Sequence, residues 1–399
     1  MKEFSMKKVV IIGAGFAGFW GAISAAREIR ATGKSNDIFI TLIAKDQFHT
    51  IKPRLYESNL EGVRIPLEQY IKPLGIQLVV DEVVSIDPDS NTIQLVQNKN
   101  SLHYDALLYA AGSELKNGDS LDQLSMFDIN SYTSAQSLNA HMQKLRQKEL
   151  TTDASKNIVI VGGGFTGLEL ATSINSENSS ADSSISTYAV HLIDRNENLA
   201  QNYSEAGRQY IENCLAEKGI ILHLRSEVSS YNSSVLKLSS GETINSDTVI
   251  WTTGVQANNL SKNFSQNLDE TGRLTVDKYL QLENYPNVFV AGDVARVAVD
   301  EHNVSLMSCQ HAMPQGKLAG HNLICYLLGA DMIAYSQPEY ATCLDLGGND
   351  ALLTSGWERS VQMKGVEAKQ MKKNIVSQWI YPSTNLEETL KQSLPEVVE

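Results

Sequence analysis

Two glycine fingerprints of the same form constrain this chain more than any other feature. Each sits between an apolar, β-branched run and a stretch of small residues. The first is Gly13-Ala14-Gly15-Phe16-Ala17-Gly18, preceded by Val9-Val10-Ile11-Ile12 and followed by a helix expected from Ala17 to Ile29. The second is Gly162-Gly163-Gly164-Phe165-Thr166-Gly167, preceded by Asn157-Ile158-Val159-Ile160-Val161 and followed by a helix expected from Leu168 to Ile174. In this context the first glycine permits the tight turn, the second lets the backbone approach a pyrophosphate, and the third lets helix and strand pack closely. The helix N-terminus then faces the phosphates with free N–H groups and a positive dipole end. The first glycines of the two fingerprints lie 149 positions apart (162 − 13). That spacing implies two related dinucleotide-binding units, not a short-period solenoid.

The rest of the chain agrees with an α/β reading. Phe39 to Ile43 and Val190 to Asp194 read as the second strands of the two units, and Thr248 to Trp251 and Val288 to Val290 as later strands leading into glycines. Ser134 to Glu149 reads as a helix, Thr151 to Lys156 as a polar connector, and the Ser/Asn-rich stretch Asn175 to Thr187 as a surface loop. A net charge of −13 argues against a general nucleic-acid binder, which needs a basic face. Four scattered cysteines, Cys214, Cys309, Cys325 and Cys343, form no C-x-x-C pair, so a reducing, cytoplasmic compartment is expected. The charged N-terminus does not fit a signal peptide, and no apolar run reaches the roughly 18 residues of a membrane span. No metal site is expected: there is no H-E-x-x-H motif or Cys/His cluster, and His103, His141, His191, His223, His302 and His321 show no partner spacing.

The strand ends carry the choice of nucleotide. Asp194 closes the second unit's second strand, where a carboxylate accepts hydrogen bonds from an unphosphorylated ribose and repels a 2′-phosphate. This favours NADH, while Arg195 beside it leaves NADPH open. The first unit ends its strand in Ala44-Lys45-Asp46, and Asp46 either reaches a ribose or caps the next turn.

Two fingerprints in this order, with Asn287-Val288-Phe289-Val290-Ala291-Gly292-Asp293 near the end, resemble the pyridine-nucleotide-dependent flavoproteins with two dinucleotide domains. The resemblance implies non-covalent FAD on the N-terminal fingerprint, NAD(P)H on the second, and Gly292-Asp293 completing the FAD site. Asp105 to Ser113, containing Ala111 and Gly112, resembles the linker strand of that superfamily, and Val249 to Val255, containing Gly254, the return strand. The expected architecture is two doubly wound, Rossmann-like domains plus a C-terminal α/β segment. Residues 1–115 and 256–330 form the FAD domain, 116–255 the NAD(P)H domain, and 331–399 an interface segment.

Within the superfamily, disulfide reductases need a thiolate near the flavin, and no cysteine precedes Cys214. The best match is the type II NADH dehydrogenases, single-subunit NADH:quinone oxidoreductases. Phe48-His49 to Pro53-Arg54-Leu55-Tyr56-Glu57 resembles their stretch near the flavin, and Cys309-Gln310-His311-Ala312-Met313-Pro314-Gln315-Gly316 resembles their quinone-side segment. His49 and His311, inside these segments, stand apart from the other histidines as candidates for contact with a cofactor or acceptor. The resemblance assigns Glu169 to the nicotinamide side and Gln310 and Gln315 to the acceptor side. Arg54 stands where leucine is usual; it is expected either to stabilise reduced flavin or to form an ordinary ion pair.

Near the C-terminus, Ala368, Met371, Ile375 and Trp379 recur at helical spacing among Lys364, Lys369, Lys372 and Lys373. Such a helix lies at the inner membrane surface, or docks on the protein's own FAD domain or on a second subunit of a homodimer. Two rivals to the quinone reductase stay open. One is a soluble NAD(P)H-dependent reductase of a small redox protein or a biosynthetic intermediate. The other is a flavin-bearing redox sensor.

Overall fold

The computed structural model describes residues 6–116, 126–147, 152–180, 188–265, 267–337 and 339–396. The two apolar runs seen first in the sequence become parallel neighbours at the centre of a sheet. Strand β1 (Lys7–Ile12) pairs with β2 (Ile38–Ala44) from Lys7↔Ile38 to Ile12↔Ile43. Helix α1 (Phe16–Ala31) crosses between them, so the unit is βαβ. Strand β3 (Gln77–Val80) extends the sheet beyond β2, and β4 (Ala106–Tyr109) lies on the other side of β1. Both faces are covered, which is why the strands read as continuous apolar runs rather than alternating ones.

The second unit repeats this. Strand β5 (Asn157–Val161) pairs in parallel with β6 (Ala189–Ile193) and with β7 (Thr248–Trp251). Short strands Phe127–Asp128 and Ile221–His223 complete a five-stranded parallel sheet at its two edges. Helix α2 (Phe165–Ser180) follows the fingerprint and outruns the expected Leu168 to Ile174. The loop expected from Asn175 therefore begins as helix; residues 181–187 lie outside the described residues. The expected Ser134–Glu149 helix is found at Tyr132–Arg146, and its N-cap Ser131 accepts from the Ser134 N–H.

Each unit also carries a three-stranded antiparallel meander just before its last central strand. The strands are Val83–Asp87, Thr92–Leu95 and Leu102–His103 in the first unit, and Val228–Asn232, Val235–Leu238 and Thr243–Asn245 in the second. Two antiparallel segments, Ser113–Leu115 and Val255–Ala257, carry the chain out of the first sheet and back. On return, β8 (Tyr285–Val290) docks in parallel on β4, and helix α3 (Cys309–Leu328) packs along α1. A three-stranded antiparallel sheet follows: β9 (Ala341–Asp345), β10 (Ala351–Ser355) and β11 (Ser360–Lys364). Helix α4 (Val366–Asn374) packs on it and continues into a wider turn, Ile375–Trp379. Among the described residues no helix is long and apolar enough to cross a membrane.

Candidate functional site: a dinucleotide cleft and a buried ionic junction

The strand ends β1, β2 and β4 and the α1 N-terminus converge on a cleft of about 590 Å³, a size usual for a cofactor site. Its walls include Gly13, Gly15, Phe16 and Ala17 from the fingerprint, Ala44, Lys45 and Asp46 from the end of β2, Ala111 and Gly112 after β4, and Gly292 and Asp293 after β8. Segments far apart in sequence thus meet as expected. The residues fit a dinucleotide on two counts. Gly15 is the N-cap of α1 with no side chain capping it and no acid in the first turn, so the first N–H groups remain available to an anion. Nothing stands within 4 Å of the position a Gly15 Cβ would take, so the backbone there is open to a ligand.

The remaining glycines act by close packing. A Cβ on Gly18 would lie 1.8 Å from the Gly13 carbonyl oxygen, and one on Gly13, whose φ is +99°, would lie 2.3 Å from that of Ala110. The first turn is also held from behind. His49 is fully buried and its Nδ1 donates to the Ala14 carbonyl at 2.9 Å, with Phe19 stacked on the ring. Burial lowers this imidazole to about 4, which keeps it neutral. His49 therefore shapes the turn and does not line the cleft.

Several expected residues have other partners. Asp46 accepts from the Phe48 N–H at 2.8 Å and pairs with Arg64 at 2.8 Å, so it caps the turn while standing at the cleft wall. Arg54 takes the ion-pair alternative and not the flavin one. Its guanidinium bonds Glu57 at 2.7–3.0 Å and the Tyr381 hydroxyl at 2.6 Å, and it does not reach the cleft. The cleft is instead lined by two cations, Lys45, which pairs with Glu82, and Lys52, which solvent still reaches although protein walls surround it. Those walls depress its ammonium, and Asp293 and Asp128 partly restore it. Asp293 itself accepts from the Ser113 hydroxyl at 2.6 Å, which ties the β8 turn to the linker strand.

Gln310 and Gln315 are corrected. Gln315 is fully buried, and its Oε1 accepts from the Gly292 N–H at 2.8 Å. The Gln310 amide, oriented to satisfy both atoms, bonds the Ala341 backbone N–H and C=O at 3.1 and 2.6 Å. The Gln310 amide and the Gln315 Oε1 thus hold backbone segments together, while the buried Gln315 Nε2 has no hydrogen-bond partner among the described residues. The cleft wall on that side is Ser308, Cys309 and Ala312. Burial pushes the Cys309 thiol up to about 11, so it is not a nucleophilic thiolate.

In the second unit the fingerprint has the same internal contacts. A Cβ on Gly167 would lie 1.8 Å from the Gly162 carbonyl oxygen, while Gly164 faces open space. Phe165 and Thr166 open α2. Asp194 accepts from the Gly163 N–H at 2.7 Å and the Asn196 N–H at 2.8 Å, which places its carboxylate against the fingerprint turn. Gly254, at φ +74°, turns the chain between β7 and Val255–Ala257.

Glu169 lies one turn into α2 and is 4% exposed. Its Oε1 accepts from Lys372 Nζ at 2.7 Å and from the Asp345 N–H at 3.0 Å. Burial raises its carboxyl to about 7 against the pull of Lys372. Burial opposes the Lys372 charge too, but Glu169 outweighs it and the ammonium is held above its ordinary value. Asp345 joins the same group through Lys369 and through the Tyr56 hydroxyl at 3.1 Å. Tyr56 comes from the first unit, Glu169 from the second, and Asp345, Lys369 and Lys372 from the C-terminal segment. The expected amphipathic helix thus docks on its own chain through two of its lysines, although Trp379 remains 59% exposed.

Comparison with known proteins agrees with this geometry. Residues 7–316 match the pyridine nucleotide-disulphide oxidoreductase family. An NADH dehydrogenase-like protein of Mycobacterium tuberculosis is 36% identical over 385 residues, covering 95% of this chain and 96% of the relative. The type II NADH:quinone oxidoreductase of Staphylococcus aureus is 24% identical, covering 94% and 95%. Among solved structures, NDH2 of Plasmodium falciparum superposes with a TM-score of 0.82 at 12% identity over 98% of both chains. The cofactors that this fold and cleft serve are FAD and NAD(H). The chain belongs to the pyridine nucleotide-disulphide oxidoreductase family and is an FAD-dependent NAD(P)H oxidoreductase.

Proposed function

We propose that the chain is a type II NADH:quinone oxidoreductase, taking hydride from NADH and passing two electrons to a quinone. The observation that carries this is the state of Cys309. Cys309 lines the cleft with no cysteine bonded to it, and burial pushes its thiol up to about 11, away from the thiolate a dithiol relay needs. Electrons then leave without a dithiol relay and go directly to a small acceptor at the Ser308–Ala312 wall. The named relatives, matched over nearly their whole length, support the same reading.

FAD in the cleft supplies hydride acceptance and two-electron return. The residues do the rest. The α1 N-terminus binds pyrophosphate, Lys52 sets a positive field at the cleft, and Asp293 with Ser113 fixes the β8 turn. Glu169, with its carboxyl near 7, positions the nicotinamide side and holds or releases a proton at Oε2, the oxygen not bonded to Lys372. Asp194 selects NADH over NADPH. The exposed Trp379 and Val366, on a stretch with exposed Lys364 and Lys373, support contact with a membrane surface.

The test is an anaerobic titration of the FAD-loaded protein with NADH, with NADPH in parallel, followed by a soluble quinone. Bleaching by NADH and rapid recovery with quinone is expected. Bleaching with no recovery would defeat the quinone assignment and direct the search to protein acceptors.

A further inference from the structure

The far ends of α1 and α3 hold a group of side chains with no part in the cleft. The two helices leave the cleft side by side in the same direction. A Cβ on Gly316 would lie 2.2 Å from the Ala17 carbonyl oxygen, and one on Gly320 the same distance from that of Gly21. His321, the residue after Gly320, and Cys325 stand at i and i+4 on α3, hence on one face. Glu28 of α1 meets them. His321 Nδ1 is 2.9 Å from Glu28 Oε2, and Cys325 Sγ is 3.4 Å from His321 Nε2. One ligand atom from each of the three residues can be chosen so that all lie within 4.8 Å of one another.

We propose that Glu28, His321 and Cys325 form a binding site for a single Zn²⁺ ion, with water as the fourth ligand. The donor set is one carboxylate oxygen, one imidazole nitrogen and one sulfur, a mixture that suits zinc better than the hard cations, which take oxygen alone. Tetrahedral zinc needs ligand atoms about 3.3–3.6 Å apart. The Nε2–Sγ distance already fits, so Nε2 is the metal-binding nitrogen, and on binding the Glu28 carboxylate exchanges its Nδ1 hydrogen bond for the ion across an edge of at most 4.8 Å.

Solvent reaches the site. The Glu28 and His321 side chains are 17% and 14% exposed, while Cys325 is buried beneath them. On binding, the Cys325 S–H bond breaks, an S–Zn bond forms, and the proton goes to solvent. The carboxylate and thiolate charges balance the ion, and Arg27, 3.5 Å from Glu28, adds one further positive charge. The bound ion would clamp the far ends of the two helices, away from the cleft that their near ends form.

The test uses metal-stripped, FAD-loaded protein and Zn²⁺ alone, titrated against a chromophoric chelator. One ion per chain is expected. Cys325→Ser and His321→Ala should each weaken binding by more than the roughly 10–100-fold that loss of an outer-shell partner costs. FAD content and NADH bleaching should stay at wild-type levels. If either variant fails to fold, Glu28→Gln, at a partly exposed position, should weaken binding in the same way. X-ray absorption on the wild-type protein provides a measurement that needs no variant, with one sulfur expected at about 2.3 Å and nitrogen or oxygen at about 2.0–2.1 Å. No binding at one equivalent, unchanged affinity in Cys325→Ser, or a zinc shell without sulfur would each overturn the site.

Discussion

The two nucleotide units share one turn and differ in what covers the helix that follows. In both, the first glycine has positive φ, +99° at Gly13 and +113° at Gly162, and the third packs against the first glycine's carbonyl. In the first unit, α1 is sealed by α3 along a seam of small residues, with backbone nearly touching backbone at Gly316 and Gly320. In the second, α2 is covered by the C-terminal segment. Gly347, at φ +72°, is pressed onto the Thr172 carbonyl, and Asp345 and Lys372 grasp Glu169. The first seam is backbone against backbone, whereas the second is an ionic junction that responds to charge.

This contrast can be broken first at the glycines. Gly13→Val puts a side chain into the Ala110 carbonyl and should yield protein without FAD, or none that folds. Gly162→Val meets the Thr252 and Thr253 side chains at 2.9–3.0 Å and should keep FAD while losing bleaching by NADH. Equal loss of FAD in both variants would mean that the units do not fail separately.

The next largest effect is expected at the junction. Lys372→Met should cost about 3–5 kcal/mol at pH 8, measured by denaturant unfolding, because Glu169 is left buried without its cation. The Glu169 carboxyl sits near 7, above its unfolded value, so the folded state keeps its proton longer. Stability therefore falls as pH rises between the unfolded value and the folded one and is flat beyond it. The Lys372→Met deficit should accordingly shrink at pH 5.5, where the carboxyl is neutral. Glu169→Gln should remove an inflection near pH 7 from the rate of flavin bleaching by NADH.

Asp194→Ala should lower kcat/KM for NADH by about 10–100-fold, the worth of hydrogen bonds to a charged group, with a smaller change for NADPH. The smallest effect is expected at Arg54, a half-buried ion pair. Arg54→Ala should cost about 1 kcal/mol of stability and leave acceptor kinetics within about twofold.

What the sequence made legible follows from range. The strands, the fingerprints and the return of Gly292-Asp293 were readable because apolar runs and glycines act locally or recur in fixed order. The two meanders are hard to read, since strands of two to five residues such as Val83–Asp87 are too short to show a period. Lys52 and Arg54 are cations two positions apart, and only the fold decides which one lines the cleft. Lys372 was placed with the lysines decorating the helix, yet it lies four residues after the buried Ala368 and shares its face. That spacing was a usable signal. Its partner was not, since Glu169 lies 203 positions away.

The position of Lys372 has a consequence for biosynthesis. During translation the second nucleotide unit leaves the ribosome well before residue 372 does. Until then Glu169 has no cation to meet, and α2 shows its uncovered face to solvent. Both nucleotide folds can form in that interval, but the junction between them closes only when α4 arrives. A nascent chain therefore becomes nucleotide-competent before α4 docks, and that docking is what covers the α2 face.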